Sequence, residues 1–201
     1  MKRVRRRSAV FLDRDGVINQ KLADGEYVTS WEEFHFLPGA QSAIRCLNEL
    51  GFLVIVVSNQ RGIARGVLTE RVLQEIHEKM KRELERAGAR IDGLFYCPHD
   101  DADQCACRKP QPGMLLDAAQ SLDIELSSSW MIGDARSDIE AGRNAGCRTI
   151  LIGQTHGKTS NGGGRPDLRF GSLAEAVKHL KRLKSRGPES RTDTTCGQPD
   201  A

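Results

Sequence analysis

Two carboxylates stand two residues apart directly after a short apolar run: Ala9 to Leu12, then Asp13, Arg14, Asp15 and Gly16. The apolar run reads as a buried strand, and Gly16 permits a sharp turn after the second acid. In an open α/β sheet, ligands bind beyond the carboxyl ends of the strands. Two acids at i and i+2 there can meet one cation and one substrate. An oxygen-rich site of this kind suits Mg²⁺, which favours carboxylates together with phosphate. A carboxylate can also attack phosphorus and form an aspartyl-phosphate. The same residues equally suit an acidic turn after a strand, so the reading depends on what else the chain supplies.

Two further apolar runs end in polar residues. Phe52 to Val57 leads to Ser58, Asn59, Gln60 and Arg61, and Trp130 to Gly133 leads to Asp134 and Asp138. In a parallel sheet the three strand ends share one rim. Phosphoryl transfer needs a nucleophile, charge neutralisation and positioning. The acids supply the first and hold Mg²⁺ for the second. The Ser58 hydroxyl, the Asn59 amide and nearby backbone N–H groups can bind phosphate oxygens, and Lys109 can add positive charge at the transferring group. Each part has a plainer reading: a turn or helix cap for Ser58 and Asn59, a strand-to-helix turn for Asp134, a solvated loop lysine for Lys109. Their joint occurrence, in order and each at or just after a strand end, favours the chemistry.

The elements that must position these residues alternate. Helical spacing of Ala43, Ile44, Leu47 and Leu50 predicts a helix opened by Pro38 and Gly39 and closed by Gly51. Thr69 is a fitting N-cap for a second helix with Val72, Leu73, Ile76, Met80 and Leu84 on its apolar face, ended by Gly88. Further strands are expected at Gly93–Tyr96, Thr149–Ile152 and Asp167–Phe170, and helices at Met114–Leu122, Ser137–Ala145 and Leu173–Leu183. Continuous β-branched runs such as Phe52 to Val57 fit parallel strands covered on both faces. The expectation is one doubly wound, Rossmann-like α/β domain over residues 9–184, with no insertion large enough for a separate cap domain. Residues 1–8 read as a basic arm and 185–201 as a disordered tail. Asn19 to Phe36, carrying Asp24, Gly25, Tyr27 and Trp31, is a long irregular segment, and loops of that length often hang over a site.

The 201-residue chain has a net charge of +3, but its ends account for the sign. The arm carries +5 and residues 181–201 carry +2, so the body between them carries −4. An acidic body argues against a nucleic-acid-binding face. No run of about 18 apolar residues exists to span a membrane, and Ala9–Leu12 is too short for a signal-peptide core. A cytoplasmic monomer is the default. Without a secretory signal, six cysteines suggest metal binding or buried thiols rather than a disulfide framework. Cys97, His99, Cys105 and Cys107 make a complete Cys₃His set for structural zinc over residues 97–107. A redox pair or inert thiols are the alternatives, although Cys105 and Cys107 are too close in sequence for an unstrained mutual disulfide. Cys46 and Cys147 read as core residues and Cys196 as a tail thiol.

The order of these parts resembles the haloacid dehalogenase (HAD) superfamily of phosphatases. Its four motifs are matched by Asp13-Arg-Asp-Gly-Val17, Ser58-Asn59, Lys109-Pro110 and Gly133-Asp134-Ala-Arg-Ser-Asp138. The resemblance implies that Asp13 is the nucleophile and that Asp15 is the general acid, then the base that activates water. It also implies that Asp13, the Asp15 carbonyl and Asp134 hold Mg²⁺, with Asp138 behind them. Within the superfamily the zinc loop resembles histidinol-phosphate phosphatases and heptose-bisphosphate 7-phosphatases. Gly25–Val28, Phe34–Phe36 with Pro38-Gly39, Gly62–Gly66, and Cys107–Met114 favour the heptose enzymes. That likeness implies removal of the C7 phosphate of a sugar bisphosphate, as in nucleotide-activated heptose and lipopolysaccharide synthesis. Histidinol phosphate or another small sugar phosphate is the alternative substrate. Tyr27, Ser58, Asn59, Gln60, Arg61, Arg108 and Lys109 are the candidate substrate-binding residues, Arg108 through a distal phosphate. Ala135 stands where heptose enzymes often carry a lysine, leaving Lys109 or Arg136 to supply that charge, and the segment between Asn19 and Tyr27 is longer than in some relatives.

Overall fold

The computed structural model describes residues 7–23, 25–153 and 164–185. Its strands are β1 (Ala9–Leu12), β2 (Leu53–Asn59), β3 (Gly93–Cys97), β4 (Trp130–Gly133), β5 (Arg148–Ile152) and β6 (Leu168–Phe170). They form one six-stranded sheet in the order β3-β2-β1-β4-β5-β6, every pairing parallel. The connecting helices are α1 (Ala40–Glu49), α2 (Glu70–Arg86), α3 (Gly113–Ser121), α4 (Arg136–Asn144) and α5 (Leu173–Ser185).

Side chains alternate across the pleat, so each strand feeds two cores. Val10, Leu12, Val54 and Val56 pack with Ile44 and Leu47 of α1, Ile76 and Met80 of α2, and Val177 and Leu180 of α5. Ala9, Phe11, Ile55 and Val57 face the other way, onto Met114, Leu115 and Ala118 of α3 and Ala141 of α4. This two-sided burial explains the unbroken apolar run in β2. The Thr69 hydroxyl accepts the Val72 N–H at 3.2 Å and caps α2 as expected.

Strand order reverses direction at β1. The chain winds outward to β2 and β3 on one side, then crosses to β4, β5 and β6 on the other. A crevice therefore opens beyond the carboxyl ends of β1 and β4, the place where doubly wound sheets bind ligands. Leu12 lies in register with Val56 on one side and Ile132 on the other, and the Asp13 N–H donates to the Ile132 carbonyl at 3.0 Å. The two outer motifs are thus brought to the flanks of Asp13 by strand register alone.

Two expected boundaries move. Arg7 and Ser8, assigned to the arm, are tied down: the Arg7 N–H donates to the Asp123 carbonyl at 3.0 Å, and the Ser8 carbonyl accepts from Leu53 N–H at 3.1 Å. Ser185, assigned to the tail, closes α5. The rest of the arm and tail, with Cys196, lies outside the described residues, as does Asp24. The long β1–α1 segment is better organised than its polar sequence suggests. Trp31 and Phe34 stack at 5.0 Å, Phe34 meets Phe36 edge-on at 5.1 Å, and Phe34 joins the core around α1.

Candidate active site

Asp13 sits at the tip of β1, almost fully buried, with the Lys109 ammonium 2.6 Å from its Oδ1. The same Lys109 Nζ lies 2.6 Å from Asp138 Oδ1 and donates to the Val57 carbonyl at 2.9 Å. A buried lysine held by two carboxylates and a carbonyl is a fixed charge, not a solvated loop residue. Burial disfavours its charge, but Asp13 and Asp138 outweigh that and hold the Lys109 pKa above its ordinary value. Burial pushes the Asp13 pKa up to about 7, against the pull of Lys109.

Lys109 is placed from behind by Asn59. The Asn59 side chain donates to the Lys109 carbonyl at 3.0 Å and accepts its N–H at 3.0 Å. The Lys109-Pro110 peptide is cis. Asn59, expected among the substrate-binding residues, therefore acts as a clamp on the main chain of the lysine. Gln60 is likewise turned inward: its amide nitrogen donates to Ser58 Oγ at 2.7 Å and to Asp15 Oδ2 at 3.1 Å. In these contacts both residues position site groups: Asn59 the main chain of Lys109, Gln60 the Asp15 carboxylate.

Asp15 is held by Arg14, whose Nη2 lies 2.9 Å from each carboxylate oxygen. Asn19 adds a hydrogen bond to Oδ1 at 2.9 Å. Burial alone raises the Asp15 pKa, but Arg14, Asn19 and Gln60 overcome it and lower the carboxyl below its ordinary value. Arg14 is itself only 1% exposed, and its Nη1 reaches His77 Nε2 on α2 at 3.2 Å. Neither Arg14 nor His77 was singled out from the sequence. The signal was present for His77, which falls at helical spacing between Leu73 and Met80 on the buried face of α2.

Asp134 closes the crevice from β4. Its Oδ2 faces Lys21 Nζ at 3.0 Å, a charge from the β1–α1 segment that sequence reading passed over. Arg136, considered as a substitute for the lysine missing at Ala135, instead pairs with Glu140 on its own helix at 2.6 Å. The packing is close enough to demand glycine twice. A Cβ on Gly16, whose φ is +94°, would meet Asp134 Oδ2 at 2.4 Å, and one on Gly133 would meet Asp138 at 2.2 Å. Asp138 also caps α4 by accepting the Ala135 N–H at 3.0 Å.

The remaining candidates form a second group beside this one. Arg108 Nε lies 2.6 Å from Asp101 Oδ1, and Arg61 lies 2.7 Å from Asp100 and 3.0 Å from Asp101. The Tyr27 ring packs on Gly62, where an added Cβ would approach it to 3.1 Å. Below them, Cys97, His99, Cys105 and Cys107 converge, their sulfur and nitrogen atoms all within 4.8 Å of one another. The three Sγ–Sγ separations of 3.2, 3.3 and 3.5 Å are far from the ~2.05 Å of a disulfide and give the four donors the edges of a closed ligand cage.

The two donor sets differ in chemistry. Three thiols and an imidazole are soft ligands in the number that zinc takes. Asp13 and Asp134, near enough with Asp138 to share one ion, offer oxygen alone and suit Mg²⁺. Each of the three acids also faces an ammonium, Lys109 for Asp13 and Asp138 and Lys21 for Asp134.

A doubly wound sheet with this acid and lysine cluster at its switch point is the arrangement of the HAD-like hydrolases, and the HAD-hydrolase-like family model matches residues 106–176. A D-glycero-beta-D-manno-heptose-1,7-bisphosphate 7-phosphatase of Bordetella bronchiseptica is 41% identical over 174 residues, spanning 87% of this chain and 92% of that protein. Another, of Rhodopseudomonas palustris, is 45% identical over 148 residues, 70% of this chain and 81% of that one. The crystal structure of the B. bronchiseptica D,D-heptose 1,7-bisphosphate phosphatase, complexed with magnesium and phosphate, superposes with a TM-score of 0.80 at 36% identity, covering 88% of this chain and 99% of that one. The chain belongs to the family of D-glycero-beta-D-manno-heptose-1,7-bisphosphate 7-phosphatases.

Proposed function

We propose that this chain removes the C7 phosphate of D-glycero-beta-D-manno-heptose 1,7-bisphosphate, through an aspartyl-phosphate on Asp13. The carrying observation is the buried contact of Lys109 with Asp13 and Asp138 at the sheet's switch point, beside Asp134. A carboxylate and a fixed ammonium side by side are what in-line transfer to an enzyme nucleophile requires. The sequence left the anomer open, and the beta form is favoured by the names of the relatives.

In the first half-reaction an Asp13 oxygen forms a bond to the C7 phosphorus, the bond from phosphorus to the sugar oxygen breaks, and Asp15 gives that oxygen a proton. In the second, Asp15 takes a proton from water as the water oxygen attacks the same phosphorus, freeing Asp13 and inorganic phosphate. Lys109 neutralises charge on the transferring group throughout. Asp15 paired with Arg14 is the carboxylate form, suited to the second step; to act in the first it must take up a proton as substrate loosens that pairing. Asp13, the Asp15 carbonyl and Asp134 would hold Mg²⁺, which supplies charge neutralisation to the phosphoryl group. The Cys₃His set would hold one structural zinc, fixing the loop that carries Arg108 and Lys109. Ser58 is offered to the transferred phosphate, and Tyr27, Arg61 and Arg108 to the remainder of the substrate. Among the described residues no helix is long and apolar enough to cross a membrane. Outside that set, the free thiols of Cys46 and Cys147 fit a reducing cytoplasm.

The test is phosphate release with Mg²⁺ from the beta and alpha heptose 1,7-bisphosphates and from histidinol phosphate, side by side. The proposal expects kcat/KM highest for the beta bisphosphate. Preference for histidinol phosphate would overturn the substrate while keeping the chemistry.

A further inference from the structure

Asp101 lies on the short turn Asp101–Asp103, between the second and third Cys/His donors. Its two carboxylate oxygens each face a different guanidinium: Arg108 Nε at 2.6 Å from Oδ1, and Arg61 Nη1 at 3.0 Å from Oδ2. Asp100 holds the outer side of the group, 2.7 Å from Arg61 and 3.2 Å from Arg65. Three guanidiniums thus share two carboxylates and keep one net positive charge. The arginines differ in how they are held. Arg108 is 16% exposed and donates a second hydrogen bond to the His99 carbonyl at 3.4 Å, whereas the Asp101 side chain is 65% exposed. Arg108 is also the immediate chain neighbour of Lys109, whose ammonium contacts Asp13.

A carboxylate spanning two converging guanidiniums uses the contacts that a phosphate monoester makes, with less charge and fewer acceptor oxygens. We propose that Asp101 is a displaceable stand-in for the second phosphate of a bisphosphate substrate. It keeps Arg61 and Arg108 converged while the site is empty, and it yields them to the dianion that arrives with the sugar. Asp101 thereby tempers the preference for bisphosphates: a substrate without a second phosphate never displaces it, and a bisphosphate binds less tightly than two unopposed arginines allow. This rests on the functional reading above.

The experiment compares wild type and Asp101→Asn on the heptose 1,7-bisphosphate and on p-nitrophenyl phosphate, which has no second phosphate. The variant keeps the side chain's shape, and Asp101 is exposed, so folding is not at stake. The expected result is a KM for the bisphosphate lowered about three- to fivefold, the scale of one exposed ion pair, with kcat/KM for p-nitrophenyl phosphate unchanged. The inhibition constant of the heptose 1-phosphate product, which retains only the second phosphate, should fall in step. A bisphosphate KM that is unchanged or raised in the variant, with wild type active on both substrates, overturns the stand-in role alone. Wild type that hydrolyses p-nitrophenyl phosphate but not the bisphosphate overturns the functional reading and this inference together.

Discussion

Arg14 grips Asp15 with two nitrogens, Nη2 at 2.9 Å from both carboxylate oxygens and Nε at 3.2 Å from Oδ1, and the Arg14 side chain is 1% exposed. The pair sits one residue from the proposed nucleophile, so its integrity governs the whole β1 tip. Removing one partner of a buried pair leaves an uncompensated charge. Arg14→Met is expected to destabilise the fold by on the order of 3 kcal/mol in urea unfolding. Adding Asp15→Asn in the same chain should recover part of that loss. Additive losses in the double variant would show that the two side chains are energetically independent.

His77 gives the fold a pH dependence of known sign. Burial, then the neighbouring Arg14 charge, pushes its pKa down to about 3, and Arg14 Nη1 donates to its Nε2. The unfolded chain binds a proton at this residue near pH 6.5 while the folded one does not. The His77 contribution is therefore fully present above about pH 6.5 and is lost progressively as pH falls toward about 3. Wild type should lose up to about 1.4 kcal/mol per pH unit more than His77→Gln between pH 6.5 and 5. Parallel unfolding curves across that range would remove His77 as the cause.

The crowding behind Asp138 predicts a large effect from one methyl group. Gly133→Ala places a Cβ 2.2 Å from Asp138, whose carboxylate orients Lys109. Turnover should fall at least about tenfold with a measurable loss of stability. Gly146→Ala is the control. It adds the same methyl at a left-handed φ of +84°, with nothing within 4 Å of the added carbon to clash. Its activity should hold even where its stability declines.

The Cys₃His set predicts one zinc per chain in protein purified without chelator, independent of added Mg²⁺. Cys107→Ser should release it and lower both stability and activity, because Arg108 and Lys109 follow directly in the chain. Elemental analysis finding no zinc in wild type would defeat the assignment.

What could be read from residue order was the part governed by local pattern. Apolar runs, glycine stops and the Thr69 cap placed the strands and helices to within a residue or two. Strand-end acids located the crevice because a parallel sheet aligns carboxyl ends on one rim. What escaped depends on partners distant in sequence. Asn59 reads as a phosphate-binding or turn residue until the main chain of Lys109, fifty positions on, arrives beside it. Gln60 and Arg14 look available until burial turns them inward. Lys21 and Asp134, 113 positions apart, meet only through the folding of the β1–α1 segment, whose order comes from the packing of Trp31, Phe34 and Phe36. The Asp101 contacts with Arg61 and Arg108 likewise belong to the loop that the cysteines close.

The central claim is that Asp13 accepts the phosphoryl group. The direct measurement is acid-quenched turnover of the heptose 1,7-bisphosphate with Mg²⁺, followed by mass analysis of the peptide containing Asp13. The account predicts a phosphorylated Asp13 in wild type, none in Asp13→Asn, and turnover in that variant lowered by at least about a thousandfold with its fold intact. Near-normal turnover by Asp13→Asn would contradict it.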